Sequence, residues 1–96
     1  MTASPANEDP DALGAVQRLL QLGEVAKAFE TLNNLADSSQ SSVMGQYMRG
    51  VCFRLMRDFA NAESALRQLV EGNPSYGRAF QELGHLYRDA NMPTEA

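Results

Sequence analysis

Apolar residues recur along this chain at steps of three and four, the spacing of one helix face, and nowhere alternate at the step of two that marks a strand. The clearest run is Met44, Tyr47, Met48, Val51, Cys52, Leu55 and Met56, preceded by Ser42, a residue suited to cap a helix start. Upstream, Leu13, Val16, Leu19 and Leu20 form a stripe that Asp9 and Pro10 would open and Gly23 would close. Val25, Ala28, Phe29, Leu32 and Leu35 predict a second helix over 24–36, and the polar run from Asp37 to Ser42 predicts a loop. Asp58 is placed to cap a fourth helix that buries Phe59, Ala62, Leu66, Leu69 and Val70. Gly72, Asn73 and Pro74 would stop it. Ser75 is then placed to cap a fifth helix with Phe80, Leu83 and Tyr87 on one face, ended by Asn91 and Pro93. Residues 1–8, rich in Ala, Ser, Pro and Asn, read as a disordered tail. The pattern predicts an all-α chain of about five helices.

The chain also resembles itself. Ala28, Ala62 and Ala96 lie 34 residues apart, and the same interval separates Gly50 from Gly84, Phe53 from Tyr87, Leu32 from Leu66 and Val25 from Phe59. One register that aligns all these pairs marks a repeat. The run Phe80-x2-Leu83-Gly84-x2-Tyr87, with Gly50-x2-Phe53, Ala62-x3-Leu66 and Pro74 in the unit before it, resembles the tetratricopeptide repeat family, whose first helix reads W-x2-L-G-x2-Y. The likeness covers residues 9–96: one unit over 9–42, a second over 43–76, and the start of a third over 77–96. It implies helix-turn-helix pairs stacked in a right-handed α-solenoid. Small residues at Ala28, Gly50, Ala62, Gly84 and Ala96 would sit where the helices of a unit cross. Phe53, Leu66, Pro74, Phe80, Leu83 and Tyr87 would fill the other packing positions. The first unit departs from the pattern, with Ala12, Val16 and Gln40 where Trp, Gly and Pro are usual, and Leu35 and Leu69 replace the late alanine of the second helix.

At 96 residues the chain has room for a single domain. Eight Lys and Arg against twelve Asp and Glu leave a net charge of -4, which argues against electrostatic capture of nucleic acid or an anionic membrane. A lone Cys52 makes no internal disulfide, and no basic-then-apolar leader or membrane-length apolar run is present, so a cytoplasmic protein is expected. The chemistry-bearing residues are sparse. No phosphate-binding glycine loop occurs, His85 has no second histidine or Ser/Asp constellation, and Cys52 falls on an apolar stripe. Glu82 and Asp89 share a helix face, as exposed carboxylates often do. The expectation is therefore no enzyme activity, no cofactor and no metal.

What remains is surface. The resemblance implies that the first helices of successive units line a concave groove, here Leu13, Gln17, Leu20 and Gln21, then Met44, Tyr47, Val51 and Arg54, then Arg78, Gln81, His85 and Arg88. An apolar floor rimmed by arginines suits a protein or peptide with a hydrophobic anchor and carboxylate groups, since guanidinium offers forked donors. Some family members grip a C-terminal carboxylate through Lys and Asn. Leu13, Gln17 and Met48 hold those positions here, which implies no binding of that type. The expected function is a protein–protein interaction module. Its alternatives are the N-terminal array of a larger enzyme, such as a sulfotransferase or glycosyltransferase, and a homo-oligomer formed through the open edge at Phe80, Leu83, Leu86 and Tyr87. Pro93, Thr94 and Glu95 read as a further helix start, so a longer protein is expected.

Overall fold

The apolar stripes fold as helices, and no strand occurs among residues 12–91, which the computed structural model describes. In chain order the helices are α1 (Ala12–Gln21), α2 (Val25–Asn33), α3 (Asp37–Ser41), α4 (Val43–Leu55), α5 (Phe59–Gly72) and α6 (Gly77–Asp89). The expected caps at Asp9 and Pro10, the stop at Pro93, and Ala96 lie outside the described residues.

The stretch expected to be a loop contains α3, and α2 ends earlier than expected, at Asn33. Two side-chain effects hold this short helix in place. Gln40 donates from Nε2 to the carbonyls of Leu35 (2.7 Å) and Asn33 (3.1 Å), acceptors left open at the end of α2 and just beyond it. Gly45 of α4 then lets the backbone of α3 close on it: a Cβ there would collide with the Ser39 carbonyl and stand 2.8 Å from that of Gln40. Ser42 caps α4 as its sequence position suggests, its Oγ accepting from the Gly45 amide at 3.0 Å. The other two expected caps differ. Asp58 precedes α5, but its carboxylate accepts from the Asn61 side chain and not from the backbone. Tyr76, not Ser75, stands at the start of α6, because a turn closed by the Tyr76 amide on the Asn73 carbonyl (3.0 Å) takes up Pro74 and Ser75.

The two long hairpins, α1–α2 and α4–α5, turn in the same way. Gly23 and Arg57 are both left-handed, at φ 80° and 64°, and Asn91, after α6, is left-handed at 57°. Successive members of this series are 34 residues apart. Each donates its amide three residues back, to Leu20, Arg54 and Arg88. The next amides, of Glu24 and Asp58, reach the carbonyls of Leu19 (2.9 Å) and Phe53 (2.8 Å). This is the paired closure that ends a helix on a left-handed residue. Glycine adopts that backbone freely; at Arg57 the guanidinium rests over the Phe59 ring, 4.9 Å from its centre.

Helix α4 serves two apolar clusters. Met48 and Cys52 join Val16, Ala28, Leu32 and Leu35. Phe53 packs against Ala62, Leu66, Leu83 and Leu86, and its ring meets that of Phe29 at 5.2 Å. Gly50 makes the shared position available: a Cβ there would lie 2.5 and 2.7 Å from Cδ2 and Cγ of Leu66. Helix α6 differs from expectation. Its buried residues are Ala79, Glu82, Leu83 and Leu86, while Phe80 is 50% exposed and Tyr87 only partly covered. Contacts with both α4 and α5 turn the 79/82/83/86 stripe inward and leave Phe80 outside. Leu83 and Leu86 are accordingly covered, contrary to the expected open edge, and a Cβ on Gly84 would meet nothing within 4 Å.

These glycines separate in a substitution experiment. Gly84→Ala gains helix propensity without a clash and should raise stability by about 0.5–1 kcal/mol. Gly45→Ala meets rigid backbone and should lower it by about 1–3 kcal/mol. Urea unfolding of the two variants checks both signs, and a stabilised Gly45→Ala would mean that α3 does not seat on α4 as described.

Candidate functional site

Helices α1, α4 and α6 enclose a cleft of about 200 Å³, far above the ~10–15 Å³ that a single water needs. Helical spacing explains its walls. Gln17, Leu20 and Gln21 share one face of α1, and Tyr47, Met48, Val51 and Leu55 share one face of α4. Arg78 projects from the first turn of α6. The floor is apolar and the rim carries two amides and a guanidinium. Arg78 lies over the ring of Tyr47, 4.8 Å from its centre, and Tyr76 meets the same ring edge-on at 5.9 Å. Burial, and after it the Glu82 carboxylate, pushes the Tyr47 hydroxyl above its usual pKa, with Arg78 opposing. The phenol stays neutral at physiological pH.

The groove residues expected from the sequence divide into those at the cleft and those elsewhere. Gln17, Tyr47, Val51 and Arg78 line it together with Leu20 and Gln21. Leu13 and Met44 instead pack against the cluster shared by α1, α2 and α4. Gln81 is exposed outside the cleft, and His85 Nδ1 lies 3.1 Å from the Arg88 guanidinium, beyond the cleft lining. Arg54 is the main correction. Its Nε donates to Glu82 and its Nη1 to Asp89 at 2.6 Å, so this guanidinium braces α4 against α6 and is not offered to a partner.

The carboxylates of that triad were not legible as a pair of bracing groups. Glu82 is 4% exposed on α6 among apolar neighbours, and a carboxylate on a buried stripe requires a cation from the facing helix. The face assignment of α6 was the missing signal. Burial alone would make Arg54 less basic, but its hydrogen bonds with Glu82 and Asp89 hold its pKa above the ordinary value. Asp89 is correspondingly held below the ordinary carboxylate value, first by the hydrogen bond from Arg54. A second network also escaped the sequence reading: Tyr87 donates to Glu63 (2.9 Å), while Arg67 donates to both.

Cys52 is buried, and loss of hydration pushes its thiol up to about 11, so it stays protonated and unreactive near neutral pH. Among the described residues no group of His, Cys, Asp and Glu side chains is gathered that could hold a metal ion, and no helix is long and apolar enough to cross a membrane. No family model, curated protein or solved structure matches the chain.

Arg54→Met strands Glu82 and should destabilise the fold by about 3 kcal/mol. Adding Glu82→Gln should restore most of the loss. The Asp89 contact adds a pH dependence of known sign. Because the folded-state pKa is depressed, its contribution is complete above the unfolded-state value of about 3.9 and disappears as pH falls through the folded-state value. Carboxyl NMR titration should find the Asp89 pKa rising in Arg54→Met while that of Glu63, depressed first by Tyr87 and then by Arg67, does not move.

Proposed function

We propose that this chain is a tetratricopeptide-type repeat module, a short right-handed solenoid that docks a partner peptide or helix and performs no chemistry itself. The observation that carries the reading is the apolar cleft with a polar rim, built from α1, α4 and α6, the helices that would be the first of each unit. The left-handed turns at residues 23, 57 and 91 support it, because they share the 34-residue interval of the sequence motif. Exposed apolar surface with convergent polar groups is the usual form of a recognition site.

Selection of a displayed random-peptide library against the whole chain tests this reading. The wild type should enrich related peptides, and Val51→Asp should lose them while its circular dichroism stays helical. An identical peptide set from Val51→Asp would defeat docking at the cleft. A second reading, self-association, is favoured by the half-exposed Phe80. Sedimentation should then give a mass that grows with concentration and returns to that of a monomer in Phe80→Ser.

A further inference from the structure

The cations near the cleft are not equivalent. Arg54 is saturated by two carboxylates, and Arg88 lies 3.7 Å from Asp89 on the exposed side of α6. Arg78 borders the apolar floor, stacks on Tyr47, and has no carboxylate partner among the described residues. Its charge is thus held at the cleft, unpaired among the described residues. The ring beneath it is itself fixed from the side by Tyr76.

The charge of the whole chain narrows the choice of partner. At -4 it repels an acidic run, and that repulsion acts over the Debye length, about 8 Å at physiological ionic strength. A single carboxylate in contact with Arg78 collects the short-range attraction while adding least to the long-range repulsion. Side chains of an extended segment alternate between its two faces at about 3.3 Å per residue, so a group that reaches Arg78 on the same face as the residue filling the cleft stands two residues from it.

From this, and resting on the docking reading above, we propose that the cleft takes one large apolar side chain of an extended partner segment, and that Arg78 pairs with a single carboxylate two residues along from it. Gln17 and Gln21, on the rim contributed by α1, offer amide groups to the backbone of such a segment. The recognised feature is one apolar residue and one acidic residue at a spacing of two, and not a polyacidic tail.

The probe is a capped hexapeptide, Ser-Gly-Leu-Gly-Glu-Ser, titrated into the isotopically labelled full chain and followed by amide NMR. Saturable shifts should centre on Leu20, Tyr47 and Val51. Replacing the peptide's Leu by Ala should weaken binding about tenfold, from lost apolar burial. Replacing its Glu by Gln should weaken it about fivefold, the scale of a partly exposed ion pair. In the Arg78→Gln protein the Glu and Gln peptides should bind alike, and salt should erase the preference in the wild type. Arg78 is exposed and rests on Tyr47, so amide shifts in the free variant should stay confined to Tyr47, Tyr76 and the first turn of α6. Equal affinity of both peptides for the wild type, or a preference that survives Arg78→Gln, overturns the carboxylate assignment and leaves docking intact. Failure of every peptide to shift the cleft residues at millimolar concentration overturns both.

Discussion

The close approach of α4 to α5 at Gly50 and Leu66 is the constraint on which the other contacts depend. With no side chain at Gly50, Leu66 sinks against the α4 backbone and is fully buried. That approach sets Phe53 against Ala62 and Leu66 on one flank of α4 and leaves Met48 and Cys52 to pack against α1 and α2 on the other. A single helix thereby joins two small apolar clusters. Neither cluster is large, and in a domain of this size the surface fraction is high, so stability rests on their being contiguous. Separation of α4 and α5 by the width of one methyl group would reach both.

Electrostatics then permits the face of α6 that packing on α4 and α5 turns inward. Glu82 is an improbable core residue by itself, since an unpaired buried carboxylate costs several kcal/mol. With Arg54 opposite, its burial is compensated, and Asp89 one heptad later fastens the same guanidinium. The stripe of Ala79, Leu83 and Leu86 is drawn in with Glu82, and Phe80 is left out. The same event assigns different roles to the two arginines. Arg54 becomes part of the scaffold, and Arg78, near the start of the helix that Arg54 secures, becomes the charge presented at the cleft.

Local pattern was readable wherever one helix face was apolar throughout. Met48 and Cys52 on the stripe of α4, the cap at Ser42, the turn at Gly23 and the burial of Ala28, Ala62 and Leu66 appear in the chain as their spacing suggests, whereas Leu55 and Met56, at the end of the same stripe, are exposed. Three features were not readable, each for a tertiary reason. Helix α3 is polar and too short to carry a period; it exists through Gln40 and the space at Gly45. The rotation of α6 depends on an ion pair between residues 28 positions apart. Of the groove residues expected on one surface, Gln17, Tyr47, Val51 and Arg78 converge, but Met44 is drawn into packing and Arg54 into bracing.

The recurring turn shows that backbone geometry can repeat where residue identity does not. Gly23, Arg57 and Asn91 differ in size, charge and conformational preference, yet each takes the left-handed conformation after a long helix. For arginine this conformation is intrinsically unfavourable by about 1–2 kcal/mol. Its retention at Arg57 means that the tertiary contacts of α4 with α5, together with the Phe59 ring beneath the guanidinium, outweigh the local preference. The cleft inherits its shape from those closures. The first closure ends α1 just beyond Gln21, and the second ends α4 just beyond Leu55, so the final turns of both helices stand side by side as walls. The shape of this surface is therefore a consequence of where two helices are made to stop, with Arg78 supplied from a third.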